Sequence, residues 1–319
     1  MRKIYLVSFA ALAFACSSTP EASVELTTVT LSPPSEPVEI AKVGQFTEGV
    51  VVDHDGNFYV SHEDQISRIT PDGQVSPWGS TPSPNGHKIL ADGTHVVCDR
   101  QGAVYLLDPD GAVIRKIAEI PTAANDVTLD TANGGLYFSS PYGSQENPEI
   151  GKVYHVDAEG EVTIAATGLH YPNGIAIRPD GQTLIVGESF TNRILEFPIT
   201  APGKLGEPRE FAVMPGAENF DPADHLAGPL PDGMAFDTDG NLYVANYGAG
   251  VVRVFDPSGA LVRNIPTGVK FTSNVAFAGD EMNELYTVGS TGPTQLSTGV
   301  LMRIELPGVT GVAILPKAP

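Results

Sequence analysis

One pattern, repeated six times, limits what this chain can fold into more than anything else in it. A small polar residue opens an apolar strand at Glu48 in TEGVVVD, Asn85 in PNGHKIL, Asn125 in ANDVTLD, Asn173 in PNGIAIR, Asp232 in PDGMAFD and Asn274 in TSNVAFA. Each time a turn and a second strand follow, as in HDGN then FYVSH, or DTDGN then LYVAN. The six residues are 37 to 59 positions apart, the period of a solenoid or propeller. In a closed ring all six face one axis, so the repeat itself builds a pocket.

Two more strands follow in most units, for example AVYLLDP and AVIRKI, or VVRVFDP and LVRNIP. Alternation such as Val252-Arg253-Val254-Phe255 has the period of strands packed on neighbours. Asp-Gly, Pro-Asp-Gly and Pro-Ser-Gly steps supply the turns, in keeping with 34 Gly and 27 Pro. No segment keeps a helical period. The 319 residues exceed an average domain yet suit a single propeller. The expected fold is all-β, a six-bladed β-propeller over residues 37–319 with blades starting near 48, 85, 125, 173, 231 and 273. Residues 37–43, PVEIAKV, precede the first blade and are free to pair with the last, a closure that removes an exposed sheet edge. The longest interruption, Met214 to Leu230, is of a length that points to function; its His225 is a candidate to reach over the pocket, with a solvent-exposed loop residue as the alternative.

Ahead of the propeller, Arg2 and Lys3 form a basic start, Ile4 to Ala15 an apolar run, and Ala13-Phe14-Ala15 precede Cys16. That is a secretory signal, too short to span a bilayer stably. Its end resembles a bacterial lipobox, with Ala13 where Leu is commonest, so lipidation of Cys16 is expected; ordinary cleavage after Ala15 is the alternative. Residues 17–36 are rich in Ser, Thr, Pro and Glu and suit a flexible tether. The expected location is the periplasm or the outer membrane of a bacterium, with membrane contact only through the lipid. Eighteen basic against 38 acidic side chains give a formal charge of −20, which repels nucleic acid and attracts cations. With Cys16 acylated, Cys98 has no partner and reads as a small buried apolar residue.

The ring holds two carboxylates and four amides, with no thiol or imidazole. An all-oxygen set suits a hard cation, Ca²⁺ above all, at a central metal site; zinc calls for His or Cys. Any one Asn or Asp before Gly is explained by a turn, but six in phase are harder to explain so. A second ring, His62, Asp99, Ser140, Glu188, Asn246 and Gly289, ends the second strands at the same rim. Asp99 and Glu188 are candidate substrate contacts, with exposed rim charge as the alternative. Asn85 and Asn274 are candidates to bind substrate or water.

At these residues the chain resembles the family that includes gluconolactonase, regucalcin, diisopropyl fluorophosphatase and, more remotely, paraoxonase. TEGVVVD, ANDVTLD, YPNGIAIRPDG and PDGMAFDTDGNLYVAN carry the resemblance, in order and spacing, across residues 40–315. It implies a six-bladed propeller with a catalytic divalent metal, usually calcium, in the central channel. Carried over position by position, the ligands are Glu48, Asn125, Asn173 and Asp232. The implied function is opening of a lactone or related ester, with Asp232 as general base or nucleophile. His87, two residues after Asn85 on the same strand, is the competing base, with a hydrogen-bonded channel or core histidine as the alternative. Ala123 stands where animal regucalcins carry an Arg that holds the sugar lactone, and Phe138-Ser139-Ser140-Pro141 where many gluconolactonases read Phe-Thr-Asp-Pro. Losing that clamp leaves a less polar small-molecule lactone or ester open. The alternatives are a promiscuous phosphotriesterase or arylesterase, and a non-enzymatic propeller whose metal only stabilises a binding surface. A metal-free propeller like strictosidine synthase is disfavoured by Glu48 together with Asn125, Asn173 and Asp232.

Overall fold

The computed structural model describes residues 32–144, 147–216 and 228–313. The expected signal (1–16) and most of the tether (17–31) lie outside these residues, as does His225. Six small antiparallel sheets make up the described fold, their strands pairing mostly with sequence neighbours, and together they form a six-bladed β-propeller. The innermost strands are Thr47–Val52, Pro84–Ile89, Val127–Asp130, Pro172–Ile177, Leu230–Phe236 and Phe271–Ala278. Blade 4 carries one extra short strand, Lys204–Leu205. Helix is confined to two 3-10 turns among the described residues.

The ring is closed by the first strand, Val38–Gln45, which pairs antiparallel with Thr298–Glu305 and becomes the outer strand of blade 6. This is the closure that residues 37–43 suggest. Hydrogen bonds to the closing blade begin slightly before residue 37. The Ser35 N–H donates to the Glu305 carbonyl at 2.9 Å, and the Ser35 hydroxyl accepts from the Glu305 N–H at 2.8 Å.

Apolar side chains alternate along each strand between the two faces of its blade, so the core lies between blades. One buried cluster fills each interface. Val43, Val50, Ala276 and Leu301 join blades 6 and 1, and Val51, Ile89 and Leu107 join blades 1 and 2. Four further clusters continue round the ring. Removing this surface from water at about 25 cal/mol per Å² is the main cohesive force between sheets that share few backbone hydrogen bonds.

Near the axis the blades meet backbone to backbone, and here the glycine that follows a ring residue has its purpose. A Cβ on Gly49 would lie 2.4 Å from the Asn85 carbonyl oxygen, one on Gly86 2.6 Å from that of Asn125, and one on Gly174 2.0 Å from that of Asp232. None of the three has the positive φ of a turn glycine. The Asn-Gly and Asp-Gly steps of the inner strands are thus places of close approach, not turns.

Gly174→Ala should therefore destabilise the propeller by about 1–3 kcal/mol, the cost of overpacking a rigid contact. Gly206→Ala meets only ordinary contact at 3.5 Å and should change stability by less than about 1 kcal/mol. Urea unfolding midpoints at constant slope check both.

Candidate functional site

All six ring residues sit at one mouth of the channel, where the inner strands begin, and each is largely buried. Five of the six inner strands shift register at this point, between Thr47 and Val50, Pro84 and His87, Pro172 and Ile175, Pro231 and Met234, and Thr272 and Asn274. Such irregularities re-aim side chains. Cross-blade bonds fix the frame: the Gly86 N–H donates to the Asn125 carbonyl at 2.7 Å, and the Ser139 hydroxyl donates to the Asn173 carbonyl at 2.6 Å.

Three acids crowd this mouth. Glu48 and Asp232 are joined by Asp126, which stands where four other blades have glycine, and whose carboxylate accepts the Val127 N–H at 2.9 Å. Burial pushes the Asp232 carboxyl well above the usual range, and the charges of Glu48 and Asp126 push it further. Burial likewise raises Glu48, with Asp126 adding to the shift and Arg100 opposing it. Asp126 is raised by burial against the pull of Lys88. The opposing charge on Glu48 is a direct ion pair: Arg100 Nη2 lies 2.5 Å from Glu48 Oε1, with the two side chains 20% and 13% exposed.

Aromatic rings surround the acids. The Arg100 guanidinium lies 5.7 Å from the centre of the Phe46 ring, Phe46 packs on Tyr247 and Tyr247 on Phe271. On the other side Tyr142 meets Tyr171, and Tyr171 meets Phe190. Burial raises the phenols of Tyr142, Tyr171 and Tyr247, and Glu48 raises each further. Arg100, Asp126 and these aromatics do not emerge from the repeat pattern. Their signal is positional: each lies within three residues of a ring residue or of the end of a second strand.

Three expected site residues have their side chains engaged within the fold. His87 is buried between blades 1 and 2, bonded through Nε2 to His95 Nδ1 at 2.8 Å and packed near Trp78 and Tyr59. Counting by two from Asn85 fails because the strand shifts register between them. Asp99 is fully buried and accepts the N–H groups of Ser83 at 2.7 Å and Gln101 at 2.8 Å. Glu188 is fully buried and accepts from the His170 N–H at 2.7 Å, from Arg193 Nε at 2.6 Å and from the Thr191 hydroxyl. Both carboxylates anchor their own blades, so neither is the rim contact expected. Asn274 accepts its own Val275 N–H and lies over Gly233. Asn85 keeps a buried Nδ2 without a hydrogen-bond partner, as do Arg100 at Nε and Tyr247 at its hydroxyl.

Among the described residues no three His, Cys, Asp or Glu side chains form a metal-type cluster. The candidate ligand set instead pairs two acids, Glu48 and Asp232, with two amides, Asn125 and Asn173. Its donor chemistry fits a hard cation, because only oxygens are offered and the buried acids carry more negative charge than Arg100 offsets. A separate cavity of about 520 Å³ opens at the far ends of the inner strands, lined by Lys88, Thr128, Ala176, Ala235 and Phe236 among others, and shares no residue with the ring.

Residues 46–291 match the family model described as SMP-30/Gluconolactonase/LRE-like region. The chain is 30% identical over 249 residues to lactonase drp35 of Staphylococcus aureus (strain USA300), a match covering 74% of this chain and 73% of that protein. It is 27% identical over 235 residues to 6-deoxy-6-sulfogluconolactonase of Pseudomonas putida, covering 71% and 76%. A solved structure titled as a calcium-binding protein, regucalcin, from Agrobacterium tumefaciens superposes with a TM-score of 0.67 at 20% identity, over 86% of this chain and 98% of that one. At that identity the likeness speaks for the fold.

The buried histidine pair generates a pH prediction. Burial lowers both imidazoles, His95 to about 4 and His87 well below its ordinary value. Between about pH 6.5 and 4 the unfolded chain binds protons that the folded one refuses. The stability carried by the pair is therefore complete above about 6.5 and is lost as pH falls, His95 alone accounting for a loss on the order of 3 kcal/mol by pH 4. Urea unfolding at pH 7, 5.5 and 4.5 should show this slope, and His95→Gln should flatten it.

Proposed function

The chain belongs to the SMP-30/gluconolactonase/LRE-like family, and from that footing we propose that it is a calcium-dependent, lactonase-type hydrolase acting at the acidic mouth of its propeller channel. The observation that carries the reading is the convergence of buried Glu48, Asp126 and Asp232, with Asp126 raising the pKa of Glu48 and both raising that of Asp232, on a mouth that also presents Asn125 and Asn173. Glu48, Asn125, Asn173 and Asp232 would hold the cation. Bound there, Ca²⁺ would polarise the carbonyl of a lactone and offset the negative charge that develops on its oxygen.

The chain's own residues do the rest. Asp232 is the acid assigned to take the proton from water, since it keeps one carboxylate at the mouth, while His87 is spent in interblade packing. Its Gly233 N–H contact and the nearby Arg100 partly offset the upward push of burial and of the other two acids. The unpartnered N–H groups of Asn85 and Arg100 and the Tyr247 hydroxyl are donors for substrate oxygens. The aromatic walls exclude water and favour a lactone or aryl ester with an apolar body over a polyhydroxylated sugar lactone. That preference agrees with Ala123, which offers no charged clamp.

The same reading takes residues 1–16 as an export signal, Cys16 as the lipidated start of the mature chain and the outer membrane or periplasm as its place of work. Intact mass of protein extracted from membranes should show a chain starting at Cys16 with added acyl mass. A soluble form of unmodified mass would refute the anchor.

For the chemistry, Asp232→Asn keeps an oxygen donor of the same size, so the protein should retain bound calcium while turnover falls by roughly 10² or more. Glu48→Gln should lose calcium on dialysis, read by elemental analysis. A panel of aryl lactones, sugar lactones, aryl esters and phosphotriesters gives the rates. A wild-type protein that holds calcium but hydrolyses none of them would be a metal-stabilised binding propeller instead.

A further inference from the structure

Among the described residues Arg100 is the cation paired with a ring acid, and nothing in the ring of repeats calls for it. The turn after the second strand of blade 2 delivers it on a fixed base. Asp99 accepts N–H groups from Ser83 and Gln101, the Arg100 N–H donates to the Ser83 carbonyl at 2.9 Å, and the Gly102 N–H donates to the Asp99 carbonyl at 2.9 Å. From there the side chain reaches 52 positions back in sequence to Glu48. Its guanidinium is held at the tip by that one carboxylate oxygen and flanked by the Phe46 ring. The buried Nε–H has no partner, so Glu48 supplies the polar contact that positions the head group.

We propose that Arg100 is a built-in rival for Glu48 that sets how tightly this mouth takes a divalent cation. The inference rests on the calcium reading given above and adds to it a residue outside the four ligands. Glu48, Asp126 and Asp232 bring three carboxyls, whose charged forms burial disfavours until a cation binds, against the one positive charge of Arg100. A divalent cation bound to Glu48 either shares that carboxylate with the guanidinium or displaces it. In both cases two cations are held close where little water screens them, and affinity drops. Site charge is a principal means by which calcium sites are tuned between tight buffering and the weak binding of extracellular modules. The Arg100–Glu48 pair biases this site toward the weak end, filled only where calcium is plentiful.

The experiment measures calcium affinity directly, on the full chain stripped of metal, by calorimetry and by terbium luminescence with calcium competition. Arg100→Met keeps the apolar stem against Phe46 and removes the charge; calcium should bind about tenfold tighter or better. Arg100→Lys, which keeps the charge, should stay within about threefold of the wild type. In a Glu48→Gln background the Arg100→Met gain should shrink to about twofold or less, because the contested carboxylate is gone. Equal or weaker calcium binding by Arg100→Met overturns the proposal, since a guanidinium that props Glu48 for the metal acts in that direction. If neither the wild type nor Arg100→Met binds calcium, the calcium reading itself falls and this inference with it. Circular dichroism melting without calcium verifies that each variant is folded, and Arg100→Gln replaces the methionine variant if that one is not.

Discussion

Side chains are absent at Gly49, Gly86 and Gly174, and this lets each inner strand come to within contact of the next blade's backbone. The radius of the channel follows from that distance. Were the strands held even one methyl group further apart, the ring residues would stand back from the axis and the acids would be solvated separately. The interblade clusters supply the cohesion, but they would tolerate a range of spacings. The backbone contact selects one. Blade 3 departs from the rule and shows what it permits: Asp126 replaces the glycine, and its carboxylate reaches the Ile175 N–H of blade 4 at 3.4 Å, which puts a third acid beside the two in the ring.

Crowding acids in this way is costly. A carboxylate moved out of water loses several kcal/mol of hydration, and like charges nearby add to the loss. Arg100 offsets part of it, and the unsatisfied donors of Asn85 and Tyr247 mark where further polar partners are wanted. Elsewhere among the described residues, buried acids such as Asp99, Glu188 and Asp237 are hydrogen-bonded through both oxygens. Asp53 and Asp237 each accept two backbone N–H groups, an Asn amide and a Tyr hydroxyl in matching turns of blades 1 and 5. The contrast separates acids that hold the fold from acids held ready by it.

Much of this was legible in the sequence because a propeller repeats. The blade starts, the closing strand and the six ring residues follow from period and alternation, which depend only on local strand geometry. Contacts between blades are a different matter. Arg100 reaches Glu48 across an interface, Asp126 is not among the residues the repeat picks out, and the aromatic collar is assembled from blades 1, 3, 4, 5 and 6. No local pattern encodes those meetings. His87 shows the limit of local geometry: the period of two breaks at the register shift, and the imidazole turns into the packing with Trp78 and His95. Asp99 and Glu188 do lie at the rim where the pattern puts them, but backbone amides and Arg193 claim their oxygens.

The pairing of Val38 with Arg303 joins residues 265 positions apart. Blades 1 to 5 are built from hairpins whose partners are neighbours in sequence, so they can form early and locally. Blade 6 cannot be completed until both ends of the domain are present together, and the loop-closure entropy of nearly the whole chain is met in that one step. Until then the apolar faces of blades 1 and 6 that later bury Val43, Val50 and Leu301 remain exposed. The lifetime of that open ring, more than the stability of any single blade, governs how readily the newly made chain aggregates.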